Sequence, residues 1–233
     1  MNDLIDNDDQ KGYPECVKGP LKARLCKGLD ELELRPTAGQ VSQLCKYLEQ
    51  LMRWNKVYNL TAVRNMDDML VQHMFDCLAI IKSLQEQFDK PIQVLDVGSG
   101  AGLPALVIAV LKPEWQVTAV DAVQKKIAFI QQQVAALGVS NLTAKHTRVE
   151  SLHSPDYDLI VSRAFSSLND FVALSRNALK SNGVWCAMKG KMPSEELVEL
   201  GDKVDVFHVK QIHVPEMDAE RCLIWMRPYH NPI

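Results

Sequence analysis

The sequence lacks the cysteine pairs and the long apolar runs that define several protein classes. Its six cysteines form no C-x-x-C pair, and none stands with histidine at the spacing of a zinc site. No apolar run approaches the roughly 20 residues that a membrane helix requires, and no apolar segment of a secretion signal follows the first residues. We therefore expect a cytoplasmic protein with free thiols, no membrane span and no metal site.

The sequence also lacks the overall excess of basic residues that is typical of a nucleic-acid-binding protein, since its net charge at pH 7 is -3. The charge is unevenly distributed, however. Residues 1–10 carry four acidic and no basic side chains, whereas residues 11–64 carry ten Lys or Arg against five Asp or Glu. This basic segment is either a solvated helical face or a surface that contacts phosphates, and charge alone leaves both interpretations open.

Two predicted segments precede a region of alternating strands and helices. Residues 1–18 are polar and without periodicity, which predicts a disordered leader. Residues 19–88 are predicted to be helical, because leucines recur at helical spacing, Thr37 and Gln40 form a capping box before the second helix, and a third helix starts at Met66. Between these two helices, a break with a short extended piece is predicted by the stretch RWNKVYNLTAVRN.

From residue 89 to residue 233 the pattern is that of an α/β domain. Strands such as IQVLDV and WQVTAVD alternate with helices such as VQKKIAFIQQQVAALG. A helix over SLNDFVALSRNALKSNG is expected to end before Gly183, and the stretches VDVFHVKQIHV and RCLIWMRP are expected to form an antiparallel pair. This alternation predicts an open, mostly parallel sheet with helices on both faces.

A glycine-rich turn, LDVGSGAGLP, lies between the first strand and the first helix of this domain. Glycines at 98, 100 and 102 allow positive φ and close approach of a ligand, at the strand end where such sheets bind ligands. No lysine follows the glycines, which excludes a phosphate-binding loop. The dinucleotide pattern G-x-G-x-x-G meets Leu103 or Ala105 at its third position, which weakens that interpretation but leaves it open.

Two acids flank the turn. With Asp96, the sequence fits the D-x-G-x-G-x-G pattern of methyltransferases that use S-adenosylmethionine, and this carboxylate can face the cationic amino-acid part of that cofactor. Asp121 ends the second strand, where a carboxylate can accept hydrogen bonds from both ribose hydroxyls. An NAD enzyme also carries an acid there, so Asp121 indicates a nucleoside rather than a reaction. We expect Gly98, Gly100 and Gly102 to contact the cofactor with these acids.

Two devices for methylating a base are absent. The polar-Pro-Pro-aromatic motif used for exocyclic amines is replaced after the fourth strand by SRAF, residues 162–165. Methylation at cytosine C5 needs a thiolate, and Cys186 lies inside an apolar strand where a buried structural role is expected. An acceptor with an in-plane lone pair, such as guanine N7, needs only positioning. The absences therefore favour such an acceptor.

Six stretches of the sequence occur in the order and spacing of a known family. They are RWNKVYNLTAVRN, MLVQHMFDCL, LDVGSGAGLP, TRVESL, VSRAFSSLNDF and AMKGKMP. In these stretches, and over roughly residues 20–228, the chain resembles the bacterial small-subunit ribosomal RNA methyltransferase G family, also called glucose-inhibited division protein B.

The resemblance implies a class I S-adenosylmethionine-dependent methyltransferase fold. This is a Rossmann-like, seven-stranded, mostly parallel sheet with an N-terminal helical extension. It also implies transfer of a methyl group from S-adenosylmethionine to N7 of one guanine in 16S ribosomal RNA, with S-adenosylhomocysteine as the product. The expected partner is 16S rRNA or the small ribosomal subunit, and the expected state is a monomer. Two alternatives stay open: a methyltransferase for another RNA, a protein or a small molecule, and a non-catalytic nucleotide-sensing or RNA-binding module.

The resemblance also assigns individual residues. The implied cofactor contacts are Gly98, Leu103, Val149, Glu150 and Arg163. Arg163 and Lys189 are the candidates for assisting methyl transfer, and each is otherwise a solvated surface residue. Ser99 and Ala101 depart from the family pattern, in which Thr and Pro are common at these positions.

A cluster of aromatic, amide and basic side chains follows the second predicted helix. Such a mixture can stack bases and bind phosphates, or it can pack the helical segment against the sheet, and both interpretations are open. His73, on the third helix, is either a hydrogen-bonded core residue or part of an RNA site. The RNA-binding candidates are Trp54, Asn55, Lys56, Tyr58, Asn59, Arg64, His73 and Lys189.

Overall fold

A computed structural model describes residues 19–163, 165 and 167–229, so the predicted leader at residues 1–18 lies outside the described residues. Within that part of the chain, seven strands form one sheet in the order β3-β2-β1-β4-β5-β7-β6. The pairs from β3 to β5 are parallel, and β7 is antiparallel to both of its neighbours, which confirms the predicted sheet and its closing pair. The strands are β1 (Gln93–Val97), β2 (Gln116–Asp121), β3 (Leu142–His146), β4 (Tyr157–Ser162), β5 (Leu179–Lys189), β6 (Val204–Gln211) and β7 (Cys222–Pro228).

The strand order reverses between β1 and β4. The chain runs outward from β1 to β2 and β3, and then returns to the other side of β1 as β4. These two strands pair in parallel with Asp96 opposite Val161, so their carboxyl ends lie side by side. In open α/β sheets, such a reversal forms the crevice that accepts a ligand. The fold therefore brings the glycine turn after β1 next to the segment after β4.

Helices pack on both faces of the sheet. They are α1 (Pro20–Glu31), α2 (Ala38–Tyr58), α3 (Met66–Met69), α4 (Asp76–Leu78), α5 (Ile81–Gln87), α6 (Ala105–Leu111), α7 (Gln124–Leu137), α8 (Leu168–Ser175) and α9 (Ser194–Leu200). One hydrophobic cluster packs the first seven helices, from α1 through α7, on one face of the sheet. A second cluster packs α8 and α9 on the other face. Among the helices that the described residues form, none has the length and apolar character needed to cross a membrane.

The predicted capping box starts α2. The backbone N–H of Gln40 donates to Thr37 Oγ1 at 3.3 Å, and the backbone N–H of Thr37 donates to Gln40 Oε1 at 2.8 Å. These two bonds satisfy donors that a helix start leaves without partners. The side-chain Nε2 of Gln40 also donates to the backbone carbonyl of Val110 at 2.7 Å. The same residue therefore begins α2 and fixes it against the end of α6.

The break predicted within RWNKVYNLTAVRN is misplaced. Helix α2 continues through Tyr58 and ends at Asn59, which adopts a left-handed conformation with φ of 50°. The last turns stay helical because their inner side is packed: the Trp54 ring lies 5.4 Å from the ring of Phe129 on α7, and Asn55 is buried. Tertiary packing of this kind, more than local propensity, stabilises most helices in proteins.

A π-helical turn interrupts the predicted third helix. Asn65 caps its start by accepting a hydrogen bond from the Asp68 backbone at 2.8 Å, and Leu70–Phe75 then form the π-helical turn between α3 and α4. Such turns are rare and occur frequently at functional sites. This one carries a glutamine and a histidine within an otherwise apolar stretch.

The predicted end of the helix before Gly183 is also wrong. Helix α8 ends at Ser175, and β5 already begins at Leu179, so Gly183 lies within the strand. The pairing of β4 with β5 is irregular at this point. A Cβ at Gly183 would lie 2.7 Å from the Leu179 side chain and 3.0 Å from the Tyr157 carbonyl, which explains why a glycine stands inside the strand.

Gly28 sets the distance between α1 and the π-helical turn, and its replacement tests that contact. A Cβ at Gly28 would lie 2.3 Å from the ring of Phe75. We expect Gly28→Ala to lower the free energy of unfolding by about 1–3 kcal/mol through overpacking, although alanine is the better helix former. Urea unfolding followed by circular dichroism measures the change.

Gly39→Ala is the matched control for this prediction. Gly39 also lies in a helix, but the nearest atom to an added Cβ is 3.7 Å away. We expect this variant to be neutral or stabilised by up to about 1 kcal/mol. Equal effects of the two substitutions would contradict the close contact between α1 and Phe75.

Candidate active site

The glycine turn after β1 is built on positive φ angles. Gly98, Gly100 and Gly102 have φ of 68°, 59° and 92°, a region that side-chain-bearing residues rarely adopt. A Cβ at Gly102 would lie 3.1 Å from Ile130 on α7, whereas among the described residues, its chain neighbours aside, no atom lies within 4 Å of a Cβ at Gly98. Gly102 therefore permits close packing of the turn on α7, and Gly98 leaves open space above the turn.

Asp96 is fully buried at the base of the turn. Its Oδ2 accepts a hydrogen bond from the backbone N–H of Ala105 at 3.0 Å, and its buried Oδ1 has no hydrogen-bond partner among the described residues. Desolvation raises the pKa of Asp96 to about 7. Because buried polar atoms almost always find partners, this oxygen fits a donor or a positive charge supplied by a ligand.

Asp121 connects the turn to the end of β2. Its Oδ2 accepts a hydrogen bond from the Gly100 backbone at 3.0 Å, and its Oδ1 accepts one from the Val123 backbone at 2.8 Å. The ammonium group of Lys126 lies 3.5 Å from Oδ2. Each carboxylate oxygen can accept more than one bond, so Asp121 can still accept hydrogen bonds from ribose hydroxyls.

A cavity of about 260 Å³ opens beside Gly98, and we call it the loop cavity. The sequence-predicted Asp121, Val149 and Glu150 lie together in its wall. Leu103, by contrast, is buried, and neither it nor Gly100 nor Gly102 lines this cavity. The lining residues are Val97, Gly98, Val120, Asp121, Ala122, Thr147, Arg148, Val149, Glu150, Phe165 and Leu174.

A second cavity, of about 280 Å³, lies between the π-helical turn and the ends of β4 and β5, and we call it the basic cavity. It contains Arg163, Lys189 and His73, and the structure places Arg163 here rather than beside Val149 and Glu150. The lining residues are Gln72, His73, Asp76, Arg163, Met188, Lys189, Gly190 and Arg221.

Arg163 is held by groups of the N-terminal helices. Its Nη1 donates to the Gln72 carbonyl at 3.2 Å, and lies 3.3 Å from His73 Nδ1 and 3.6 Å from Asp76 Oδ2. Burial, with a smaller contribution from Arg163, lowers the pKa of His73 to about 4. The imidazole is therefore neutral at neutral pH, and its Nε2 lies 2.7 Å from Thr61 Oγ1.

The other cations of the basic cavity are also paired with carboxylates. Arg221 Nε donates to Asp76 Oδ1 at 2.9 Å. Lys189 Nζ donates to both carboxylate oxygens of Glu196, at 2.9 and 2.8 Å, and is thereby held against the start of α8. Both pairs are only partly exposed, so solvent screens them less than surface ion pairs.

The segment after β4 separates the two cavities. Arg163 lines the basic cavity and Phe165 lines the loop cavity. Ser162 Oγ donates to the Val97 carbonyl at 2.8 Å, which ties this segment to the end of β1. Arg163 also favours the ionised form of Asp96 electrostatically. The two cavities therefore lie on either side of the segment after β4, at the carboxyl edge of the sheet, and share no lining residue.

The predicted aromatic and amide cluster is divided between packing and surface roles. Trp54 packs on Phe129, and the buried Asn55 donates to the Val63 carbonyl and accepts from the Thr61 backbone. Tyr58 stacks on Trp54 at 4.9 Å between ring centres and is 44% exposed. Lys56 is exposed, and Arg64, also exposed, donates to Asn59 Oδ1 at 2.9 Å. Only the surface members of this cluster are accessible to an RNA chain.

A larger concavity of about 850 Å³ lies at the amino end of β5, among Arg176, Lys180 and Asn182. None of the sequence-predicted site residues lines it, and it lies away from the strand ends that carry the glycine turn. Size alone therefore does not mark the site in this fold.

Sequence reasoning missed four contributors to the site. Gln72 and Asp76 stand, with His73, as polar residues in the apolar helical stretch MLVQHMFDCLAII, and this pattern could have identified them. Tyr47 is fully buried and donates its hydroxyl to the Ala101 carbonyl at 2.9 Å. Arg221 lies in an irregular charged segment before β7, where no local pattern distinguishes it from surface residues.

The sheet order, the glycine turn between two acids, and the paired cavities define a class I, S-adenosylmethionine-dependent type of methyltransferase fold. Solved structures with this fold include a ribosomal protein L11 methylase from Lactobacillus delbrueckii subsp. bulgaricus, with a TM-score of 0.52 and 16% identity over 66% of this chain and 78% of that chain. A SAM dependent methyltransferase from Aquifex aeolicus has a TM-score of 0.50 and 18% identity over 68% of this chain and 92% of that chain.

The chain belongs to the rRNA small subunit methyltransferase G family, whose sequence profile matches residues 40–224. Curated relatives named "Ribosomal RNA small subunit methyltransferase G" cover nearly all of it. The protein from Methylibium petroleiphilum is 51% identical over 86% of this chain and 91% of its own length. The one from Bordetella pertussis is 44% identical over 92% of this chain and 96% of its own length. The sequence-based family assignment is confirmed.

Asp96 is expected to make the stability of the protein depend on pH. Its raised pKa means that the folded state binds a proton more tightly than the unfolded chain, so its favourable contribution is complete only below the ordinary pKa and is lost as the pH rises through about 7. We expect Asp96→Asn to stabilise the protein at about pH 8, by up to about 4 kcal/mol, and much less at about pH 5.

Urea unfolding of both proteins at the two pH values, without cofactor, measures this difference. Calorimetric titration with S-adenosylmethionine should show weaker binding by the same variant, because a neutral amide replaces the carboxylate that is expected to face the cationic part of the cofactor. A variant that is less stable than the parent at about pH 8 would contradict the unsatisfied state of Asp96.

Proposed function

We propose that the protein transfers the methyl group of S-adenosylmethionine to N7 of a guanine in 16S ribosomal RNA. Family membership supports the RNA substrate, and the observation that carries the chemistry is the placement of the two cavities on either side of the segment after β4. One cavity is suited to a nucleoside cofactor and the other to an anionic acceptor chain. Methyl transfer to a ring nitrogen with a free lone pair requires mainly that both ligands be held in line.

The loop cavity fits S-adenosylmethionine. Gly98 offers open space for close approach of the ligand, Asp121 can accept ribose hydroxyls, and Val149 can flank an adenine ring. The orphaned Oδ1 of Asp96 suits the cationic amino-acid part. When bound, the cofactor supplies an electrophilic methyl group on a sulfonium centre. The part of the residues that line the loop cavity would be to bind and orient the cofactor.

The basic cavity supports an acceptor that needs no activation by a thiolate. None of its lining residues is a cysteine. Burial raises the pKa of the Cys77 and Cys186 thiols well above the usual range, which keeps both protonated. His73 is neutral at neutral pH, and the lining arginine and lysine side chains cannot act as bases while they are charged and paired. Guanine N7 attacks with its in-plane lone pair, so no base is needed to remove a proton from it before methyl transfer.

Exposed residues around the loop after α2 can hold the flanking RNA. The loop after α2 reaches the cavity, because Thr61 contacts His73. Lys56, Tyr58 and Arg64 are exposed near this loop and combine a ring face with positive charge, the mixture that binds single-stranded RNA. We expect the enzyme to act as a monomer, and a ribosomal substrate supports action in the cytoplasm.

Loss of the gene tests the substrate. We expect 16S rRNA from a deletion strain to lose one N7-methylguanosine, detected by mass spectrometry of nuclease fragments. Complementation with the intact gene should restore it. If all N7-methylguanosine persists in the deletion strain, the proposed substrate is wrong, and methyl transfer to free 16S RNA, the small subunit and bulk protein should then be compared in vitro.

Asp121→Ala tests the cofactor assignment. Removing the carboxylate should weaken binding of S-adenosylmethionine by about 1–3 kcal/mol, because the charged hydrogen bonds to the ribose are lost together with the hydrogen bond from the Gly100 backbone. Calorimetry of the purified variant gives this value. Asp158→Ala, which removes a carboxylate paired with Lys180 near the start of β4, is the matched control and should bind normally. Unchanged affinity in Asp121→Ala would contradict the ribose contact.

A further inference from the structure

Tyr47 bonds to the glycine turn from within α2. Its side chain is fully buried, and its hydroxyl donates to the Ala101 carbonyl at 2.9 Å. Burial raises the pKa of Tyr47 well above its usual value, so the hydroxyl stays protonated and remains a donor at neutral pH. This hydrogen bond connects the N-terminal helices directly to the turn whose first glycine, Gly98, lines the loop cavity.

The bond from Tyr47 fixes the second half of the turn. The N–H groups of Gly98 and Ser99 both donate to the Val120 carbonyl at 3.0 Å, which holds the first half on β2. The peptide between Ala101 and Gly102 is planar, so holding its carbonyl also sets the direction of its N–H, which donates to the Ser99 carbonyl at 2.8 Å. Because glycines restrict the backbone little, such bonds decide which conformation the turn keeps.

The other end of α2 is exposed at the surface proposed for RNA. Tyr47 and Tyr58 lie eleven residues apart on this helix, which is about 16 Å at the helical rise. Phe129 on α7 lies 6.0 Å from Tyr47 and 5.4 Å from Trp54, measured between ring centres. Trp54 in turn lies 4.9 Å from Tyr58, which is 44% exposed. These four side chains, which we call the aromatic path, connect the turn to the surface.

The two halves of α2 are held in different ways. The side-chain amides of Gln40 and Gln43 donate to backbone carbonyls near the ends of α6 and α7, at 2.7 and 2.8 Å, and fix the first half on the sheet domain. The last turns are held by the packing of Trp54 on Phe129. A ligand at the exposed end therefore acts on the part of α2 whose position depends on the aromatic path.

We propose that Tyr47 is a positioning residue that couples RNA binding to cofactor binding. The inference rests on the proposed function, because it takes the exposed end of α2 as a place of RNA contact. RNA that stacks on Tyr58 steadies the aromatic path, and the Tyr47 hydroxyl transmits that order to the glycine turn. A turn already held in one conformation binds the cofactor with a smaller loss of conformational entropy. Because coupling is reciprocal, the cofactor should strengthen RNA binding by the same factor.

Tyr47→Phe separates positioning from packing, because it removes the hydroxyl and keeps the ring. In the full chain without ligands, amide hydrogen exchange at residues 98–103 should become faster. Calorimetry should show that the affinity for S-adenosylhomocysteine falls by about 2- to 10-fold, the effect of one hydrogen bond. Gln43→Met is the matched control. It removes a hydrogen bond from the same helix to a backbone carbonyl at the end of α7, and it should change neither quantity.

Coupling is measured with S-adenosylhomocysteine and a 16S rRNA fragment that the wild type methylates, so that no turnover occurs. Calorimetry gives the cofactor affinity with and without RNA, and fluorescence anisotropy gives the RNA affinity with and without S-adenosylhomocysteine. In the wild type each ligand should raise the affinity for the other by about fivefold or more. The factor should fall close to one in Tyr47→Phe and in Trp54→Leu, which interrupts the path. Trp54→Leu should keep the wild-type affinity for S-adenosylhomocysteine alone.

Several outcomes would overturn the proposal. They are a coupling factor of one in the wild type, an unchanged factor in Tyr47→Phe, and equal losses of cofactor affinity in Tyr47→Phe and Gln43→Met. If the wild type methylates no 16S fragment or subunit, the proposed function fails instead. Hydrogen exchange and the affinity of Tyr47→Phe for S-adenosylhomocysteine then still decide whether Tyr47 positions the turn.

Discussion

The site depends on two buried carboxylates that fix the glycine turn from both sides. Asp96 binds the backbone at the start of α6, and Asp121 binds the backbone of Gly100 within the turn. A turn with three positive φ angles has little conformational preference of its own, because glycine is permissive. The carboxylates at the ends of β1 and β2 therefore determine where the turn stands, and with it the shape of the loop cavity.

The two carboxylates differ in the number of their oxygens that have a bonding partner. Asp121 has partners at both oxygens, including a nearby lysine, whereas one oxygen of the fully buried Asp96 has none in the part of the chain that the structure describes. A buried carboxylate oxygen without a partner, as in Asp96, destabilises the protein alone and favours the binding of a cation. Functional sites commonly carry such local costs, and the close-packed cores on both faces of the sheet offset it here.

The sequence predicted the sheet domain well because its signals are local. Apolar strands alternate with amphipathic helices, and the glycine turn is continuous in the chain. The end of α2 and the place of Gly183 were misjudged because non-local contacts decide them, with Phe129 in the first case and Tyr157 in the second. Asp96, Gly98 and Asp121 lie at the carboxyl ends of β1 and β2, and their place beside the turn could be predicted. Arg221 could not, since only its tertiary partner, Asp76, distinguishes it from a surface arginine.

The position of β7 has a consequence for how the protein reaches its active form. This last strand lies between β5 and β6, so β6 has no partner in the sheet until β7 has been made and inserted. Arg221 stands immediately before β7 and meets a carboxylate 145 residues earlier in the chain. Contacts of such long sequence separation form late and slowly. The glycine turn can therefore assemble on a nascent chain well before the basic cavity closes, and the wall that Arg221 completes should be the last part of the site to form during synthesis.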